Sequence, residues 1–187
     1  MDALPTVKRC FLGLALPNAI CQLLAREAAS MQEKIGRTDF RWIPARNFHL
    51  TLAFLGDLST EEIARLESLL AAQRWLDSPL HLEIRVLGGF PSIIRSRYVV
   101  AHIEPNTALD AIYRELQKRL ADNGYRAEAR SLRAHITLAR GTRQRPGGTV
   151  EEQRVAVPIQ FDAEELILFE SQTGPEGSVY SRLAGFA

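Results

Sequence analysis

Asn47-Phe48-His49-Leu50-Thr51-Leu52-Ala53-Phe54-Leu55 and Arg133-Ala134-His135-Ile136-Thr137-Leu138-Ala139-Arg140 carry one shared five-residue pattern, His-(Leu/Ile)-Thr-Leu-Ala. On a strand, alternate side chains leave opposite faces, so His49 and Thr51 point one way and Leu50 and Leu52 the other. His135 and Thr137 stand against Ile136 and Leu138 in the same way. Each copy puts an imidazole and a hydroxyl on one face and an aliphatic pair behind them. Each also lies in the middle of a strand-and-helix half of similar length. A duplicated lobe follows; two copies with no short period do not make a solenoid. If a pseudo-two-fold relates the halves, the two polar faces meet across a groove lined by two histidines and two threonines.

The flanking sequence supplies the rest of the halves. Arg9 to Leu16 reads as a buried first strand. Pro17 suits the first turn of a helix reaching about Lys34, with Ile20, Leu23, Leu24, Ala28 and Met31 on one face and Gly36 as its stop. Phe40 to Ile43 and Asn47 to Leu55 read as strands, the second broken at Gly56-Asp57. Ser59 or Thr60, followed by Glu61-Glu62, opens a second helix. Leu80 to Leu87 and Arg97 to Ile103 alternate as strands, joined through the turn-rich Gly88-Gly89-Phe90-Pro91. Asn106 or Thr107 caps a third helix that Asn123-Gly124 ends. A strand over Leu132 to Leu138, a loop over 140–149 and three short strands complete the chain. Many strands with only three helices predict an α+β fold with largely antiparallel sheets.

Composition narrows the function classes. The 187 residues suffice for one cored domain or two small lobes, and a net charge of +1 argues against a wide basic face that coats nucleic acid. All but three of the 23 basic residues are arginine, which fits planar phosphate forks but fits biased genomic composition better. Cys10 and Cys21 suggest two free thiols in a reducing cytosol, not a disulfide framework or a zinc knuckle. Lys8-Arg9 before the apolar Cys10–Leu16 run has the outline of a signal peptide, yet the run is short and Pro17 ends it, so a cytoplasmic protein is expected. Nothing approaches the ~18 apolar residues of a membrane span.

The paired motifs suit a phosphodiester. Histidine exchanges protons near neutrality; hydrolysis needs one neutral imidazole to take a proton from water and one imidazolium to protonate the departing alkoxide. Threonine hydroxyls can donate to non-bridging oxygens as charge builds on phosphorus. His-X-Thr is not a ligand spacing, and no acidic or histidine cluster accompanies either motif, so no metal and no other cofactor is expected. His81 and His102, without such a motif, read as structural or surface residues. A lone strand histidine is more often structural than catalytic; the recurrence of the whole pattern is what favours His49 and His135.

These motifs, with Phe-Leu-Gly after the first and Leu-Ala-Arg closing the second, resemble the two-histidine phosphoesterases. The similarity is greatest to the bacterial and archaeal RNA 2′,3′-cyclic phosphodiesterases, once called 2′-5′ RNA ligases. It runs from Phe11-Leu12-Gly13-Leu14 to Tyr180-Ser181-Arg182-Leu183. It implies one bilobal domain over residues 1–187, with lobe motifs at 47–56 and 133–140, two antiparallel sheets around a central groove, and helices outside. It also implies action on cyclic-phosphate RNA ends or small cyclic nucleotides, with His49 the proton donor, His135 the acceptor, and Thr51 and Thr137 holding the phosphate; a monomer is expected. Relatives often have proline before the second histidine, where this chain has Ala134. End-joining, or nucleotide binding without turnover, are the alternatives.

Arginines 126, 130, 133, 140, 143 and 145 crowd the second motif. Arg130, Arg133 and Arg140 are expected to grip phosphate or the next nucleotide, and Arg143 and Arg145 to add looser, salt-sensitive attraction. Phe48 and Phe54 fall on the Leu50/Leu52 face by strict alternation, so core packing is expected for both.

Overall fold

The computed structural model describes residues 7–35, 40–141, 148–174 and 177–187. Within them lie strands β1 (Val7–Ala15), β2 (Phe40–Trp42), β3 (His49–Ser59), β4 (Leu80–Phe90), β5 (Tyr98–Ile103), β6 (His135–Gly141), β7 (Gln153–Ala163), β8 (Leu166–Gly174) and β9 (Gly177–Phe186), with helices α1 (Asn18–Ile35), α2 (Thr60–Ala71) and α3 (Thr107–Asp122). The expected stop at Gly36, and Arg143 and Arg145, lie outside the described residues.

Every strand pairing is antiparallel, in the order β7-β4-β5-β6-β3-β1-β8-β9, with β2 added beside β6. That order is a palindrome about the junction of β3 and β6, the two motif strands. β1 and β5 are equivalent partners of the motif strands, β8 and β4 come next, and β9 and β7 form the edges. At the junction the halves share one register pair, Leu50 with Ile136. The two expected sheets are therefore two wings of a continuous path, meeting where the histidine motifs meet.

Helices tie the wings from below. Asn106 caps α3 through its side chain and donates from Nδ2 to the His81 carbonyl on β4 at 2.8 Å. One face of α3 then reaches the other wing: buried Gln117 donates from Nε2 to the Leu52 carbonyl on β3 at 2.9 Å. Ser59 caps α2 in a full capping box with Glu62, which satisfies two helix-end donors reciprocally. The hydrophobic core runs without a break through both wings, with Leu12, Leu50, Leu52, Ile84, Ile136 and Leu138 in one cluster with Leu116 and Leu120 of α3.

Two strands run longer than the sequence predicts. β4 continues through Gly88, Gly89 and Phe90, which pair with Val100, Val99 and Tyr98 instead of turning. β3 continues through Gly56-Asp57 because Gly56, at φ 81°, absorbs a bulge there without leaving the ladder. Pro17 precedes α1 instead of occupying its first turn; its carbonyl accepts from Ile20 and Cys21 at 3.0 and 3.1 Å. Among the described residues no helix is long and apolar enough to cross a membrane.

Candidate active site

A second bulge matters more to the site. Leu12 pairs with Ala53 and Gly13 with Thr51, so Leu52 is the extra residue on β3. On β6, Val99 pairs with Ala139 and Val100 with Thr137, making Leu138 the extra residue. Both motifs bulge at the same leucine. Each bulged leucine and the alanine after it are buried, so the alternation slips by one residue just past the motif. Phe48, before the slip, is 5% exposed in the core; Phe54, after it, is 52% exposed. The expectation that Phe54 packs in the core is thereby corrected: it lines the groove. Arg140 is its counterpart on β6, at the same offset from His135, and lines the groove too. Gly13 belongs to the same device: a Cβ there would stand 2.5 Å from the Leu50 carbonyl oxygen.

The groove between the wings has a volume of about 440 Å³ and is lined by His49, Thr51, His135 and Thr137 together with Arg130, Arg133 and Arg140. These seven candidates thus line one cavity. Arg126 does not border it; with Arg9 it lines an adjoining hollow. Arg133 is also a structural residue: its guanidinium lies 4.5 Å over the Phe90 ring, and both Nη atoms donate to the Pro91 carbonyl at 3.2 Å.

The histidines are held alike. His49 Nδ1 lies 2.7 Å from the Asn47 carbonyl oxygen, and His135 Nδ1 lies 2.6 Å from that of Arg133, in each case two residues back. A carbonyl only accepts, so the proton sits on Nδ1 and Nε2 is the nitrogen left for chemistry. Aromatic rings fix both planes. His49 has Phe11 at 4.7 Å and Tyr180 edge-on at 5.0 Å, and His135 stacks on Phe90 at 4.4 Å. Asn47 anchors the wall around His49 as well, its Nδ2 donating to the Ser178 carbonyl at 2.6 Å.

Electrostatics separates the pair. Burial lowers the pKa of His49 to about 4, more than its hydrogen bond to Asn47 raises it, with Arg140 and His135 adding smaller depressions. Burial also lowers His135, again partly offset by a backbone hydrogen bond, with His102 and Arg133 contributing. His102 is the cross-strand partner of His135, whereas Ala15 holds that position beside His49. His102 thus breaks the pseudo-symmetry beside the second histidine, and no local motif signals it. His81 stays at the surface, 3.0 Å from Asp162. Among the described residues, no three His, Cys, Asp or Glu side chains gather as metal ligands.

The groove thus brings together two imidazoles, each with Nδ1 tied to its own backbone and each with a threonine two residues on along the same strand, related by a pseudo-dyad. The chain belongs to the 2′-5′ RNA ligase superfamily, whose family model matches residues 8–175. Similar proteins include the RNA 2′,3′-cyclic phosphodiesterase of Methanocaldococcus jannaschii, 25% identical over 92% of this chain and 96% of the relative. The protein of the same name from Bacillus subtilis is 26% identical over 86% of each chain. Among solved structures, E. coli LigT complexed with 3′-AMP superposes with a TM-score of 0.81 at 25% identity, covering 97% of this chain and 98% of that one.

Proposed function

We propose that this chain hydrolyses 2′,3′-cyclic phosphate ends of RNA, or of nucleotides, to 2′-phosphomonoesters by metal-independent acid–base catalysis. The observation that carries the reading is the pair of two-fold-related histidines, each with Nδ1 committed to its own backbone, in one arginine-lined groove. The relatives named as RNA 2′,3′-cyclic phosphodiesterases support the substrate class.

His135 Nε2 takes a proton from water, whose oxygen attacks phosphorus. The bond from phosphorus to the 3′ oxygen breaks, and His49 Nε2–H gives that oxygen its proton. One proton is taken and one returned, so each cycle leaves the two imidazoles exchanged in state and a solvent proton transfer resets them. Thr51 and Thr137 hydroxyls donate to the non-bridging oxygens, and Arg130, Arg133 and Arg140 offset the anionic charge. A donor must carry its proton, yet burial lowers the His49 pKa to about 4 and so favours the neutral ring near neutral pH. The incoming phosphate offsets this, because an anion beside an imidazole favours the imidazolium.

The test is turnover of a short RNA with a 2′,3′-cyclic phosphate end, with EDTA in excess and the product ends identified. A 2′-phosphate product, and loss of ~10²–10⁴-fold in rate for His49→Ala or His135→Ala, are expected. Full activity in either variant overturns the reading. Loss of activity in EDTA that zinc or manganese restores overturns its metal independence.

A further inference from the structure

Beside the catalytic groove lies a second hollow of about 420 Å³ that shares His49, Phe54, Tyr98 and Arg140 with it. Besides Tyr180, which packs edge-on to His49, its other polar lining comes from side chains the proposed chemistry does not use: Arg9 of β1, Arg126 after α3, Ser171 and Thr173 of β8, and Ser178 of β9. Three arginines and three aliphatic hydroxyls face it, and among its described lining residues there is no carboxylate. The nearby acids do not fill the gap. Glu170 is engaged by Lys8 at 3.0 Å, and Asp57, which stands opposite Arg9 in the β1–β3 register, is not a lining residue. Arg9 and Arg126 are both exposed, so their charge faces solvent and an incoming ligand.

Forks of planar donors with interspersed hydroxyls recognise phosphate oxygens. The shared rim settles which phosphate. A cyclic phosphate between the two histidines leaves the rest of an RNA strand continuing from the 5′ side of the terminal ribose. The next phosphodiester must then lie one nucleotide from the reacting phosphorus. The hollow that begins at His49 and Arg140 is where such a neighbour can sit.

We infer that the Arg9–Arg126 hollow is a subsite for the phosphodiester preceding the cyclic end, and that it makes an oligonucleotide a better substrate than a cyclic mononucleotide. The inference rests on the proposed hydrolysis of cyclic ends. It gives Arg126 a role apart from its neighbours in the sequence, and it uses β8 and β9, which carry no motif.

Three substrates test it: a 2′,3′-cyclic mononucleotide, a dinucleotide with a 2′,3′-cyclic end, and the same dinucleotide with a neutral methylphosphonate as its internal linkage. The charged dinucleotide is expected to exceed the neutral one by about tenfold in kcat/KM, the scale of a charge-assisted hydrogen bond. Arg126→Ala, alone or with Arg9→Ala, is expected to bring the charged dinucleotide down to the neutral one's level. Both variants should keep mononucleotide turnover within about twofold of the parent, which also reports that they fold. Equal rates for the charged and neutral dinucleotides in the parent protein overturn the subsite and leave the proposed function standing. Absence of turnover on all three substrates overturns the function and the subsite with it.

Discussion

At the scale of single residues, the two histidines differ more in their surroundings than in their geometry, and pH is the variable that reads the difference. kcat/KM reports ionisations of the free enzyme, and kcat those of the enzyme with substrate bound. Phosphate in the groove raises the pKa of His49, so the alkaline limb of kcat is expected at higher pH than that of kcat/KM. Coincident limbs in the two profiles would contradict the proposed donor. Stability carries the same signature. His49 has a folded pKa of about 4 against ~6.5 unfolded, so the unfolded chain binds more protons between those values. Its contribution is full above about pH 6.5 and is lost as pH falls towards 4. In urea titrations, His49→Gln should flatten the decline in midpoint across that window; an unchanged slope would refute the burial argument. Leaving groups separate the roles: His49→Ala should hurt a nitrophenyl ester far less than a ribose ester, while His135→Ala hurts both. Equal penalties would sink the assignment of donor and acceptor.

Strands and helices set those residues in place, and here the sequence is legible in part. The motif strands and three helices can be read directly, and two of the caps to within one residue, because periodicity and cap chemistry are local; the structure selects Ser59 and Asn106. The bulges cannot, because a bulge is a mismatch between two strands and neither strand records it alone. That is why Phe54 is misplaced by strict alternation while Phe48 is not. Gly88-Gly89 misleads for a related reason: glycines that suit a turn also suit a strand approached closely by Ser96. Gln117 is hidden as well, as one polar residue on an otherwise apolar helix face. Its Nε2 holds the carbonyl of the bulged Leu52 and its Oε1 accepts from the Glu128 amide at 2.7 Å. Gln117→Leu strands the buried Leu52 carbonyl and removes the acceptor of the Glu128 amide; it should cost about 1–3 kcal/mol, measurable by denaturant unfolding. A cost near zero would show that neither bond stabilises the bulge.

Across the whole molecule, the wiring is less symmetric than the shape. One wing, β7-β4-β5-β6, is built from residues 80–163 with β2 added at its motif strand; the other takes β1 and β3 from the beginning of the chain and β8 and β9 from its end. The pattern of two histidine strands suggests two lobes, but it does not reveal this return, since pairing between distant segments leaves no local mark. Truncation after Ala163 should therefore damage the wing that carries His49, although it leaves both motifs intact. Expected is loss of turnover together with lowered amide protection in β1; wild-type protection of β1 in the truncated chain would refute the dependence. The wiring also sets an order in time. Phe169 lies 6.0 Å from His49 and Tyr180 5.0 Å, and both are synthesised after the two motifs. Between the synthesis of His135 and that of Tyr180 the polypeptide holds both histidines but not the whole wall that dries one of them. A nascent chain that has passed His135 but not reached Tyr180 would thus carry both motifs and no finished catalyst.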